Sequence, residues 1–341
     1  MTTWRMPIEG HEQERLWLAW PTSGYTLGDT EAEVTEARET WAAVANAASN
    51  HEAVTVVVNP GDEDIAARYL SAQIDRITAP LDDAWMRDIG PSFVIGDDGK
   101  LGAVNFVFNG WGGQDWASWE NDQHIGRIVA EAAGAQLINS EMTNEGGGIQ
   151  VDGTGRVIIT KTVQLDPGRN PGWTAEQVET ELARTIGADS VMWLPRGLSR
   201  DHDTFGTRGH SDILAAFATP EVLLMHQQNA ESHPDHLIAK TNRSVAEQYR
   251  TDTSASFELI DMPAPETLRD AEGFVDYSYI NHVVINGAVL ACSFGDPADD
   301  RALATLREVY PGREVIGIDA RPLFARGGGI HCITQQQPKV A

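Results

Sequence analysis

A single ring-like α/β body built from five similar units is what this sequence predicts. Strand–turn–strand segments recur five times, and a stretch of helical periodicity precedes each. No Pro/Gly/Ser-rich linker breaks the chain, so residues 1–341 are read as one domain.

The elements follow in order. TEAEVTEARETWAAVANAA (30–48) has apolar residues three and four apart and acidic residues early, as an amphipathic helix requires. It leads to the apolar run AVTVVVN (53–59) and then to the first strand–turn–strand segment, RDIGPSFVIGDDGKLGAVNF, from Arg87. WENDQHIGRIVAEAA (119–133) precedes EGGGIQVDGTGRVIITKTV, from Glu145. TAEQVETELARTI (174–186) and the run SVMWLP (190–195) precede RGHSDILAAFATPEVLLMH, from Arg208. HPDHLIAKTNRSVAEQYR (233–250) precedes YINHVVINGAVLACSFG, from Tyr279. DDRALATLREVY (299–310) precedes GGGIHCITQQQP, from Gly327. Apolar runs of this kind follow three of the helices as extra strands. The turns Asp97-Asp98-Gly99, Asp152-Gly153, Thr219-Pro220-Glu221 and Asn286-Gly287 carry residues suited to tight connections. A doubly wound sheet shares the strand–helix rhythm, but hairpins closed by two-residue turns need antiparallel pairing, which a purely parallel sheet lacks.

Composition narrows the function. With 25 basic against 50 acidic residues the formal charge is −25, which argues against nucleic acid or anionic membranes as partners and favours a cationic ligand. No run approaches the ~18 apolar residues of a membrane span. The start lacks the charged head and apolar block of a signal peptide. Two cysteines, Cys292 and Cys332, make no disulfide framework, and the reading is a cytoplasmic protein.

If the five segments point their starts at one axis, Asp88, Glu145, His210, Asp212 and Cys332 meet there. A thiol needs a base or cation to ionise it, and His210 titrates in the range where it can serve as acid and base in turn. Carboxylates beside a thiolate make sense when the substrate is a cation, above all a guanidinium, whose planar donors match them. Each residue also has a structural reading. Asp88 could form an exposed ion pair with Arg87, Glu145 could be a solvated turn residue, and Trp85, Trp111 and Cys292 could be core. His210 and Asp212 would share one strand face, with Arg208 on the same face. A metal site adding His202 and Asp203 lacks recognisable ligand spacing.

The stretches WMRDIGP, FNGWGG, EGGGIQVDG, GHSD, SYIN, FGDPADD and GGGIHCITQQQP, with the opening WRMPIEGHEQERLWLAWP, together resemble the agmatine deiminases and bacterial peptidylarginine deiminases. The resemblance covers nearly the whole chain. It implies the pentein-type fold, a fivefold pseudo-symmetric α/β propeller of ββαβ-like modules around a central active site. It implies Cys332 as nucleophile, His210 as general acid and base, Glu145 as its orienting carboxylate, and Asp88 and Asp212 as guanidinium-binding carboxylates. Trp85 and the Trp111-Gly112-Gly113 loop match positions lining the substrate channel. The implied reaction is hydrolysis of a small cationic guanidino compound to its ureido product and ammonia, without metal or cofactor. Agmatine is the first candidate; another free or peptide-bound guanidine is the alternative, and a silent cation-binding propeller is disfavoured by the intact catalytic set. Homo-oligomerisation is left open. Gly148 and Gln150 depart from the family's usual EGGSIHVDG, and Leu214, Ala215 and Ala216 replace its Asn-x-x-Arg. Arg208 stands where Asp or Asn is usual, either reading the substrate tail or pairing with Asp201 or Asp203.

Overall fold

The computed structural model describes residues 2–340. Its strands fall into five separate sheets of three or four strands, and one pattern underlies them all. In the unit after Tyr279, strand Val283–Ile285 pairs antiparallel with Ala288–Ser293 across the Asn286-Gly287 turn. The helix Asp299–Val309 then crosses over, and Glu314–Asp319 returns parallel to Ala288–Ser293 with Val289 opposite Val315. Strands Ser92–Gly96, Leu101–Val107 and Gln136–Thr143 repeat this arrangement. So do Gln150–Val151, Arg156–Thr160 and Ser190–Leu194, and then Ala215–Thr219, Val222–Gln227 and Glu258–Pro263.

The fifth unit differs from the sequence expectation. Thr334–Pro338 finds its hairpin partner at the other end of the chain, in Gln13–Ala19, with Gln335 opposite Trp17. The helix Glu31–Ala48 and the parallel strand Ala53–Val58 complete that unit, and Asp75–Thr78 adds an edge. Returning strands follow all five helices, not three. Those missed are polar and half exposed, as in the alternating pattern of Gln136–Thr143, because an edge strand needs no continuous apolar run. Two of the hairpin connections also differ: residues 97–100 and 152–155 form four-residue loops.

Local chemistry explains the helices. Thr30 caps the first long one: its hydroxyl accepts the Glu33 N–H at 3.2 Å, and the Glu33 carboxylate accepts the Thr30 N–H at 2.9 Å. Such a cap contributes about 1 kcal/mol. Thr174 and Gln177 repeat the device, and Gly187 ends that helix in the left-handed region at φ 72°. The inward stripe Trp41, Val44, Ala45 and Ala48 packs into the largest apolar cluster.

The starts of the five hairpins are tied to one another in a circle. Gly147 N–H donates to Asp88 Oδ1 at 3.2 Å, and Ser211 Oγ donates to Gly147 O at 3.2 Å. Asn281 Nδ2 reaches Asp212 O at 3.3 Å, and the His331 N–H donates to Asn281 Oδ1 at 3.0 Å. Arg87 N–H closes the circle on Cys332 O at 3.0 Å. Among the described residues, no helix is long and apolar enough to cross a membrane.

Candidate active site

Each functional side chain sits in a short turn just before a hairpin. Asp88 lies in the turn Met86–Ile89, Glu145 immediately precedes the turn Gly146–Gly148, and His210 precedes the turn Ser211–Ile213 that holds Asp212. This corrects the expectation that His210 and Asp212 share a strand face. The strand begins only at Ala215. Arg208 does not share such a face either, because its own backbone is left-handed at φ 70°. Turns place consecutive polar side chains at close range without a ladder to satisfy, which a strand cannot do. Gly147 is required by that crowding, since a Cβ there would lie 2.4 Å from His210 Nδ1.

The cluster is buried. His210 and Asp212 are each 1% exposed, Cys332 5% and Asp88 6%. Glu145 is fully buried, so it is not a solvated turn residue. Asp88 does not form an exposed pair with Arg87 either. Arg87 is buried and points to the His331 carbonyl and to Gln335 and Gln336.

His210 Nε2 lies 3.1 Å from Glu145 Oε2. Arg169 Nε donates to both Glu145 oxygens at 3.0 Å, and Arg169 Nη1 reaches Asp166 Oδ2 at 3.0 Å. The other ring nitrogen, His210 Nδ1, has no hydrogen-bond partner among the described residues and stands 3.8 Å from Asp88 Oδ1. Asp88 Oδ2 accepts the Trp111 indole N–H at 2.9 Å. Cys332 Sγ is 3.5 Å from Asp212 Oδ2 and 3.3 Å from Asn281 Nδ2. Asp212 Oδ2 also takes His331 Nδ1 at 2.8 Å, while Asp212 Oδ1 is buried and unpartnered.

The electrostatics follow from burial and these contacts. Burial would discharge His210, but Asp88 and then Glu145 outweigh it and raise its pKa to about 9. Burial opposes the charge on Glu145, yet Arg169 and His210 pull its pKa down to about 2. Burial raises Asp88 to about 6, with Glu145 and Asp212 adding to the rise against His210. The Cys332 thiol is pushed up by burial and then by the charges of Asp212 and Asp88. The resting site therefore pairs a neutral thiol with a protonated His210.

Trp85 and Trp111 are both buried in the core, and Trp111 also bonds Asp88. Trp85 packs against Trp41 and lies where a Cβ on Gly328 would meet it at 2.6 Å. Trp111 stacks on Trp116, which meets Phe205, which stacks on the partly exposed Tyr25 at 3.6 Å between ring centroids. This aromatic series runs from the surface to the partner of Asp88. Gly112 lies beside Asp166 and Arg208, and Gly113 faces open space. Arg208 Nη1 pairs with Asp166 at 3.1 Å, not with Asp201 or Asp203.

The sequence assigned no role to Arg169, Asp166, Glu9, His331, Asn281 or Phe205. Arg169 lies in a plain proline–glycine loop that carries no signal. Asn281 and His331 stood inside quoted motifs, and proximity of His331 to Cys332 was the available hint. Among the described residues no three His, Cys, Asp or Glu side chains are grouped to hold a metal.

Comparison with known proteins follows from this geometry. The family model of the Porphyromonas-type peptidyl-arginine deiminases matches residues 5–338. The chain belongs to this family. It is similar to a Streptomyces coelicolor protein named "Putative agmatine deiminase", with 49% identity over 99% of both chains. It is 34% identical to the agmatine deiminase of Stutzerimonas stutzeri, over 98% of this chain and 95% of that one. Its structure superposes on the agmatine deiminase of Enterococcus faecalis with a TM-score of 0.89 at 28% identity, covering 99% and 96% of the two chains. The five sheets of this family member are thus arranged as in that enzyme.

Proposed function

We propose that this deiminase hydrolyses agmatine to N-carbamoylputrescine and ammonia, with Cys332 as the nucleophile. One observation carries the reading. His210 Nδ1 and Asp212 Oδ1 are buried and lack a hydrogen-bond partner among the described residues, and the other Asp212 oxygen lies 3.5 Å from the Cys332 thiol. A planar cation with several N–H donors and an electrophilic carbon satisfies the carboxylates and meets the sulfur.

Charge balance supports the same substrate. With His210 and His331 protonated, Arg87, Arg169 and the two imidazolium rings offset Glu9, Asp88, Glu145 and Asp212. A guanidinium adds one positive charge, and loss of the thiol proton to solvent compensates it. The substrate thereby cancels the field that keeps Cys332 protonated, and the thiolate forms where its target lies.

The thiolate then adds to the guanidinium carbon, with Asp88 and Asp212 holding its nitrogens. His210 gives its proton to the departing nitrogen, and ammonia leaves an amidino thioether cation on Cys332. Neutral His210 next takes a proton from water as the oxygen attacks that carbon. The C–S bond breaks, the hydroxyl proton passes to the leaving sulfur and restores the thiol, and the ureido product departs. Glu145, backed by Arg169, stabilises His210 in its charged form and fixes the ring.

The amine tail of the substrate lies along the Trp111–Trp116–Phe205 series, where aromatic faces suit an ammonium. Arg208 at the mouth is paired with Asp166, which reduces its repulsion of that tail. The buried catalytic set favours a small substrate over a peptide chain. Ammonia release from agmatine, free arginine, other guanidino compounds and arginyl peptides tests the reading. Agmatine is expected to show the highest kcat/KM; preference for an arginyl peptide overturns the substrate, and no release from any compound overturns the reaction.

A further inference from the structure

We infer that His331 and Glu9 form a positioning pair for Asp212, holding one oxygen of this carboxylate so that the other faces the substrate. The inference rests on the deiminase reading and adds two residues to it. His331 Nδ1 lies 2.8 Å from Asp212 Oδ2, and His331 Nε2 lies 2.9 Å from Glu9 Oε2. Both ring nitrogens are thus occupied by carboxylates, so the ring neither flips nor has a nitrogen free for the substrate. It bridges two anions, and the remaining oxygen of Asp212 is the buried, unpartnered one.

The pair is itself fixed from several sides. Glu9 Oε1 accepts the Val284 N–H at 2.7 Å, which ties the residue ahead of strand Gln13–Ala19 to the fourth unit. The His331 N–H is held by Asn281, and its carbonyl accepts from Arg87 Nε at 3.2 Å. A cavity of about 20 Å³ lies behind the ring, lined by Glu9, Arg87, His331 and Gln336 and by none of Cys332, His210 or Asp88. It has room for a water molecule. The pair therefore stands between this cavity and the reacting centre and acts through Asp212 without touching the substrate.

The charged and titratable groups facing His331 are Glu9, Asp212, Arg87, His282 and Cys332. His282 uses its own ring on the Tyr279 carbonyl and the Tyr310 hydroxyl. Burial and Arg87 oppose a charge on His331, but Glu9 and Asp212 outweigh them and raise its pKa. A carboxylate on each ring nitrogen favours the imidazolium form, which stands next in sequence to the thiol. It lowers the pKa of Asp212 against burial.

The test uses full-length Glu9→Gln, which keeps size and an acceptor oxygen but removes the charge. Ammonia release from agmatine across pH is expected to show kcat/KM lowered about 10–100-fold, as for other carboxylates that orient a working group through a histidine. The loss should fall mainly on kcat, and the alkaline limb, set by His210 in the wild type, should move to lower pH because a His331 deprived of Glu9 sheds its proton first. Glu9→Asp should return that limb towards its original position. A merely structural Glu9 would lower Tm and leave the limb in place. Wild-type kcat/KM in Glu9→Gln, or a loss with an unmoved limb, overturns the inference. If Glu9→Gln does not fold, His331→Asn tests the same point through iodoacetamide alkylation of Cys332. The alkylation profile should move to higher pH when the neighbouring cation is gone, and an unmoved profile overturns the inference. Wild-type enzyme inactive on every guanidino compound defeats the deiminase reading instead; an active wild type with an undiminished Glu9→Gln defeats only this pair.

Discussion

His210 and His331 belong to the same cluster, both buried and both bonded to carboxylates, yet their bonding differs. His210 has one ring nitrogen on Glu145 and one without a partner. Behind Glu145 stands Arg169, a fixed cation that balances the carboxylate. His331 has a carboxylate on each nitrogen. A histidine moves protons only if one nitrogen is free to meet the substrate, so in the proposed mechanism the first is a proton carrier and the second a clamp. Residue type does not separate the two roles; the number of occupied nitrogens does.

The largest test removes the atom both serve. Cys332→Ala is expected to abolish agmatine turnover while circular dichroism and Tm stay close to wild type, since no other residue can form the covalent intermediate. Cys332→Ser should be similarly inactive. Near wild-type activity in Cys332→Ser, lost in both proteins with EDTA, would replace the thiol mechanism with a metal-dependent one.

His210→Asn follows in size. Loss of the proton carrier is expected to reduce kcat by about 10²–10⁴-fold, well beyond the effect of Glu9→Gln on the clamp. Equal losses at the two histidines would erase the distinction drawn between them.

Asp88→Asn and Asp212→Asn should each cost more than tenfold in kcat/KM, about 1.4 kcal/mol or more, because a buried cation loses half of its charged partners. A residue whose replacement costs less than that does not hold the guanidinium. Asp212→Asn also removes one anion from His331, so it should additionally pull the alkaline limb downward.

The pH profile sharpens the comparison further. His210 must be protonated to release ammonia, and its pKa is raised to about 9. Activity should hold through neutrality and fall as pH rises through about 9. Its contribution to fold stability has the same sign: present in full below the ordinary value of 6.5 and lost as pH passes about 9. Glu145→Gln should bring the activity limb down, measured as kcat/KM against pH.

The smallest effect is expected at Arg208. Its side chain is 37% exposed in its pair with Asp166, a contact worth at most about 1 kcal/mol. Asn tolerates the left-handed backbone found there, so Arg208→Asn should lower Tm slightly and leave the substrate ranking unchanged. A shift of kcat/KM toward agmatine and away from an acidic-tailed guanidine would instead make Arg208 a reader of the substrate tail.

What the sequence by itself determined was local or patterned. Helical periodicity located all five long helices, and Asn286-Gly287 marked a true two-residue hairpin. The recurrence of one segment type placed Asp88, Glu145, His210, Asp212 and Cys332 at equivalent points, and the family motifs attached chemistry to them. The tertiary structure decided the rest, because those facts depend on groups far apart in the chain. Glu9 meets His331 across 322 positions, and strand Gln13–Ala19 pairs with Thr334–Pro338; no spacing rule reaches that far. Charge state was equally hidden. Arg87 beside Asp88 reads as a surface pair until burial turns it toward Gln335 and Gln336. A buried ion is defined by what surrounds it in space, and only the closed ring of five units supplies those surroundings.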